Sequence, residues 1–317
     1  MSYFFDFHTE VFETAEQRRF VVENKSRDQR QTMIEHLVFR YPKFDEIVHN
    51  LAKFHNPVEG GHAQCGYAGG LMGDSRSGKT AILSALSKMP EHKPVHLADG
   101  TIHYPMAYIP GRADMNRADL VGEIFEATEA TSVPRLTREA AKKLGAWRVQ
   151  MSGVKLLVVD DAHFIFQSRR DMREGVLDIL KNLLDRRLCN ILLVGMDDID
   201  SGLMQFVQLY RRGHFPAQRI DAFDESVTAK VDYNGFLKVV SKMLPFEMES
   251  RLEQQGYFGA FLEQTGGLRG ATMDIVIDAG CYALDDRATH VSGRHLYQAC
   301  FKRAKPRQKS IPFEGLN

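Results

Sequence analysis

The stretch Gly73-Asp74-Ser75-Arg76-Ser77-Gly78-Lys79-Thr80 constrains this chain more than any other. It meets G-x-x-x-x-G-K-[ST] at every fixed position. Gly73 and Gly78 let the backbone curl so that successive N–H groups turn inward on phosphate oxygens. The Lys79 ammonium is a point charge for the β- and γ-phosphates, and the Thr80 hydroxyl is offered to Mg²⁺. A helix beginning here and running on through Ala81 adds the positive end of its dipole at the same anion. The flanks agree. Tyr67 to Met72 reads as a short strand of small residues, and Ala81 to Leu86 as a helix with apolar residues at i, i+1 and i+4. Strand, loop and helix in this order imply a bound nucleoside triphosphate.

A second motif completes the first. Leu156-Leu157-Val158-Val159-Asp160-Asp161 is an apolar strand ending in two carboxylates. In an open parallel sheet, ligands sit beyond the carboxyl ends of the strands. Asp160 is thereby placed to hold Mg²⁺ through water, and Asp161 to orient an attacking water.

Around these motifs, strands and helices alternate. Pro105 to Ile109 reads as a strand stopped by Pro110-Gly111, Asn190 to Gly195 as a buried strand, and Gln218 to Ile220 as a last short one. Helices are expected over Asp119–Glu129, over Thr137–Val149 with Thr137 as N-cap, and over Met172–Leu188. Two or three helices precede the loop, and from Val227 onward the pattern is helical throughout. This order predicts an α/β fold, a parallel αβα sandwich with N-terminal helices and a C-terminal helical lid. The expected domains are 1–60 (helices and linker), 61–226 (nucleotide core), 227–301 (lid) and 302–317 (basic tail).

Of the 317 residues, 44% are hydrophobic and 26% charged, ordinary for a globular protein, and the net charge is +0. No global field therefore draws the chain to nucleic acid or membrane. Cys65, Cys189, Cys281 and Cys300 are scattered without metal-ligand spacing, which fits four thiols in a reducing compartment. With neither a signal-like N-terminus nor a long apolar run, a cytoplasmic protein without membrane partners is expected.

The order of motifs resembles the TniB/TnsC family of AAA+ transposition proteins, which includes the ATPases of CRISPR-associated transposons. The resemblance runs over residues 31 to 290. It is carried by Tyr41-Pro42-Lys43-Phe44 ahead of the loop, the Pro110-Gly111 pair and Val158-Val159-Asp160-Asp161-Ala162-His163. Leu192-Leu193-Val194-Gly195, Arg211-Arg212 and Leu244-Pro245 follow in the expected order. It implies an AAA+ P-loop NTPase that binds ATP and Mg²⁺ and assembles head to tail, as a ring or helical filament, on double-stranded DNA. It implies a transposase and a target-selection protein as partners. By position, Gly73 to Ala81 would bind ATP, and Thr80 and Asp160 the metal. Asp161 takes the place of the catalytic acid. Asp197, after the strand ending at Gly195, would be sensor 1, and Arg269 in Gly266-Gly267-Leu268-Arg269-Gly270 sensor 2. Arg211 or Arg212 would be the finger reaching a neighbour's γ-phosphate.

A neutral chain can hold a phosphate backbone only through local cations. Arg112 and Arg117, after the second strand, and Arg135, Lys142 and Lys143 downstream are the candidates. A solvated helix face explains each of them as well. No base-reading motif accompanies them, so DNA binding should be independent of sequence and sensitive to salt. The basic run from Lys302 to Lys309 faces either a partner or solvent.

Asp161 stands where family members more often carry Glu. The missing methylene withdraws the carboxylate from the water, and a misplacement of ~1 Å costs on the order of 100-fold in rate. ATP turnover well below the enzyme median of ~10 s⁻¹ is expected in a steady-state phosphate-release assay.

Overall fold

A computed structural model describes residues 6–53, 65–130, 132, 138–200, 217–224, 226–304 and 311–316. By its contacts the chain divides into two units that do not follow chain order. One comprises 42–75 and 79–220, the other 1–41, 76–78 and 221–317.

The first unit is built on a five-stranded parallel sheet. Its strands are β1 (Ala68–Met72), β4 (Met106–Pro110), β5 (Leu156–Asp160), β6 (Asn190–Gly195) and β7 (Gln218–Arg219), in the order β4-β5-β6-β1-β7. Every residue of β1, β5 and β6 is buried. This explains why those strands read as unbroken apolar runs rather than alternating ones. Ala107, Ile109, Leu157, Val159, Ile191 and Leu193 face a cluster that includes α5 (Arg117–Ala127), α6 (Arg138–Met151) and α8 (Arg170–Asp185). The intervening Val158, Leu192 and Val194 are equally buried. α3 (Pro42–Lys53) packs on β7 and on α4 (Lys79–Ser87), the helix that leaves the phosphate loop. α7 (His163–Gln167) is a short helix directly after β5. A hairpin, β2 (Val95–His96) with β3 (Ile102–His103), stands apart from the main sheet.

The second unit is helical. It contains α1 (Ala15–Asn24), α2 (Arg27–Glu35), α9 (Val227–Met243), α10 (Tyr257–Thr265), α11 (Arg269–Asp285) and α12 (Gly293–Lys302). α11 packs against α2, α10 and α12. The N-terminal residues are part of this core. Ile34 and Leu37 are buried in one cluster with Tyr233, Phe236, Phe261 and Ile275, and the Phe12 N–H donates to the Lys242 carbonyl at 2.8 Å. The far end returns to it as well: Phe313 stacks edge-on against Tyr257 and Phe261, centroids 5.3 and 4.8 Å apart. Residues 305–309 of the basic run, and Thr137, lie outside the described residues. No helix among the described residues is long and apolar enough to cross a membrane. The four cysteines are free, and burial pushes the Cys300 thiol up to about 12.

Asn190, fully buried at the start of β6, accepts from the N–H groups of Gly66 and Tyr67 at 2.9 and 3.0 Å. Asn190→Ala would leave two part-buried donors without their acceptor, a cost of up to ~1–3 kcal/mol each. Urea unfolding is expected to show a loss of about 2–4 kcal/mol, whereas Asn190→Asp, which keeps the acceptor, should lose less.

Candidate active site

The sheet's register levels three chain segments at one edge. Met72 pairs with Gly195, and Val159 pairs with Leu193, so the residues following β1, β5 and β6 emerge side by side. Two bonds tie them: Gly73 N–H donates to the Gly195 carbonyl at 3.1 Å and Ala162 N–H to the Val194 carbonyl at 2.8 Å. The phosphate loop, Asp160-Asp161 and Met196-Asp197 thus share the carboxyl edge, with β6 between β1 and β5.

Lys79 opens α4 and donates from Nζ to the carbonyls of Gly73 and Asp74, both at 2.7 Å. Burial lowers its pKa, while Asp160, Asp161, Asp74 and Asp197 pull the other way. Asp160 is 9% exposed at the end of β5. Tyr108 on β4 donates its hydroxyl to Oδ2 at 2.7 Å, and the Asp161 N–H donates to Oδ1 at 2.9 Å. Burial raises the Asp160 pKa; these two bonds and Lys79 oppose the rise, and Asp161 adds to it. A desolvated carboxylate beside a second carboxylate gains from a cation. Mg²⁺ therefore fits Asp160 together with the exposed hydroxyl-bearing Thr80 of the first helical turn.

Asp161 has a left-handed backbone, φ +47°, and its side chain is 57% exposed. Gly111 explains how this turn is held: its N–H donates to the Asp160 carbonyl at 2.7 Å. A Cβ at Gly111 would overlap that oxygen and come within 2.9 Å of the Asp161 carbonyl oxygen. Asp197 does not stand free as a sensor. Arg219 at the end of β7 pairs with Asp197 at 2.5 Å and with Asp200 at 2.7 Å.

The middle of the loop, Arg76 to Gly78, groups with the helical unit. Arg76 (φ +64°) and Gly78 (φ +109°) supply the left-handed turns of an anion cradle. Ser77 is buried with Oγ lacking a hydrogen-bond partner, an atom a phosphate oxygen would satisfy. Arg76 forms an ion pair with Asp274, and its carbonyl accepts from Ala271 N–H at 3.2 Å. Arg269 is engaged elsewhere. Its guanidinium lies 3.9 Å above the Phe223 ring and 4.6 Å above Tyr41, and it donates to the Asp221 carbonyl at 2.6 Å.

The candidate DNA residues fall into three groups. Arg112 pairs with Glu123 at 2.9 Å, and Lys142 with Asp178 at 2.9 Å. Arg117 packs its stem over Gly175 of α8, and Lys143 is exposed. Arg135 lies outside the described residues, as do the candidate finger residues Arg211 and Arg212.

Residues 30–223 match the family model for the bacterial TniB protein. The chain belongs to the TniB family. No curated protein matches it. Among solved structures, this TniB chain is similar to the ORC2 protein of Aeropyrum pernix in its ADPNP–ADP complexes (TM-score 0.59, 16% identity, 92% of this chain and 72% of that one). The ORC1 protein of the same organism, solved with DNA, gives TM-score 0.58 at 15% identity over 92% and 70%. Cdc6p of Pyrobaculum aerophilum gives 0.55 at 18% identity over 84% and 68%. At this identity the likeness establishes the AAA+ fold. Together with the family and the site, it identifies the TniB chain as an AAA+ ATPase.

Tyr108 and Arg219 belong to this edge and carry no motif of their own, whereas His163 closes the Val158–His163 motif without an assigned role. A tyrosine one residue before the predicted end of a strand was the available signal for Tyr108. Removing its hydroxyl withdraws about 1 kcal/mol from the orientation of Asp160. Tyr108→Phe is expected to lower kcat/KM for ATP roughly 3- to 10-fold with the melting midpoint nearly unchanged, as steady-state kinetics and calorimetry would show.

Proposed function

We propose that this protein is an ATP-driven assembly switch of DNA transposition. In its ATP state it lines up head to tail on double-stranded DNA, as a ring or filament, and presents that DNA to a transposase and a target-selection protein. The observation that carries the reading is the convergence of Lys79, Asp160 and Asp161 at one sheet edge in a TniB-family chain. In this reading 61–226 is the nucleotide core, 227–301 the lid, and the basic run from Lys302 to Lys309 faces a partner.

Each residue has a part. The loop from Gly73 to Ala81 cradles the phosphates, and Lys79 leaves its carbonyl partners for them. Thr80 and Asp160 hold Mg²⁺, which when bound neutralises charge developing on the phosphates. Asp161 orients water from a short arm, so the ATP state persists. Arg211 or Arg212 reaches the site of the next subunit, and such a finger is worth ~10³–10⁵ in rate only within an oligomer. Arg112, Arg117, Arg135, Lys142 and Lys143 meet phosphates, exchanging weak surface pairs for counterion release. The likeness to origin proteins, one of them solved on DNA, favours a second reading, a loader of replication enzymes.

Electron microscopy with ATP and random duplex DNA separates the two. Regular assemblies on duplex support the transposition reading, and binding confined to single strands supports the loader. ATPase rates are expected to rise with duplex DNA, and Arg211→Ala or Arg212→Ala should abolish that rise. A stimulation surviving in both variants refutes the trans-acting finger.

A further inference from the structure

His163 stands beside the paired carboxylates at the end of β5. It begins α7, three residues after the last strand residue, and is 6% exposed. Its Nδ1 is fully buried and has no hydrogen-bond partner. The nearest carboxylate is that of Asp161, with Oδ1 4.0 Å from Nδ1. A buried ring nitrogen without a partner is uncommon and costs free energy, so its presence calls for a reason.

Two neighbours pack closely on the ring. The adjacent Phe164 ring lies 4.2 Å away between centroids. Gly195, the last residue of β6, is also close: a Cβ there would come within 2.9 Å of Nδ1. The Asp161 backbone takes its left-handed turn against Gly111. Its side chain makes no other ion pair among the described residues. An unpartnered buried nitrogen and an exposed carboxylate thus lie 4.0 Å apart.

We propose that His163 is a positioning residue for ATP hydrolysis: its Nδ1–H captures Oδ1 of Asp161 and thereby points Oδ2 at the attacking water. A short acid has many orientations that miss the water, and one hydrogen bond from a rigid ring removes most of them. Seated against Gly195, the ring also ties the acid to the strand that ends beside the phosphate loop. This rests on Asp161 being the water-orienting acid.

The test compares the full-length wild type with His163→Asn, His163→Phe, Asp161→Asn and the double variant His163→Phe/Asp161→Asn, with Mg·ATP and with or without duplex DNA. Asn keeps a donor where Nδ1 stands, and Phe keeps the volume without one. Expected is a roughly 30- to 100-fold fall in kcat for His163→Phe, the size of an ~1 Å misplacement, with KM for ATP and the affinity for a fluorescent ATP analogue within about 3-fold. His163→Asn should retain kcat within about 5-fold. His163→Phe should add nothing in the Asp161→Asn background, because the group it aims is gone. Equal losses in the Asn and Phe variants, losses that follow nucleotide affinity, or additive effects in the double variant each overturn the proposal. Full activity of Asp161→Asn overturns the reading of Asp161 itself. An inactive Asp161→Asn beside a fully active His163→Phe overturns only the role of His163.

Discussion

The register of β6 between β5 and β1 is the constraint on which the site depends. Three segments with no sequence proximity reach one edge because their ladders are in phase, Met72 with Gly195 and Val159 with Leu193. Burial alone does not set that phase. Both faces of β6 are apolar and covered, so a slip by one residue exchanges one buried face for another at little hydrophobic cost. What distinguishes the registers is polar. The Asn190 carboxamide meets the N–H groups of Gly66 and Tyr67 in this alignment, and the Gly195 carbonyl meets Gly73 N–H at the other end. Hydrogen bonds at both ends of an apolar strand thus set the phosphate loop and Asp160-Asp161 side by side.

The sequence was most readable where one physical requirement dominates. Unbroken apolar runs marked β5 and β6 because both faces are buried, and a glycine-lysine spacing marked the loop because backbone must approach phosphate. α1 was harder to read, since its residues are largely exposed and its apolar face is faint; its Thr14–Gln17 capping box was the signal available. The hairpin of β2 and β3 has two residues a strand and no buried alternation to announce it. Roles at the site were legible only for residues inside motifs. Tyr108 and Arg219 gain theirs from neighbours that are distant in sequence. Arg269 shows the converse: its position in a Gly-rich turn suggested a phosphate sensor, and its guanidinium lies over two aromatic rings.

Charge is distributed by pairing throughout. Arg219 with Asp197 and Asp200, Arg76 with Asp274, Arg112 with Glu123 and Lys142 with Asp178 each neutralise locally what the composition balances globally. Exposed pairs of this kind contribute ~0–1 kcal/mol, which makes them reversible rather than inert. A polyanion offering several phosphates at once competes well against such single carboxylates, and does so less well as salt rises.

The left-handed turn at Asp161 bears on how this site can change over generations. Asp and Asn tolerate φ near +50° better than longer side chains do, because their short polar groups bond locally to backbone. In the role proposed for Asp161, a drift toward Glu would lengthen the reach to water while straining the turn that Gly111 packs against. Speed and backbone comfort therefore pull in opposite directions at a single residue. A faster enzyme built on this scaffold would need the turn redrawn before the acid is lengthened.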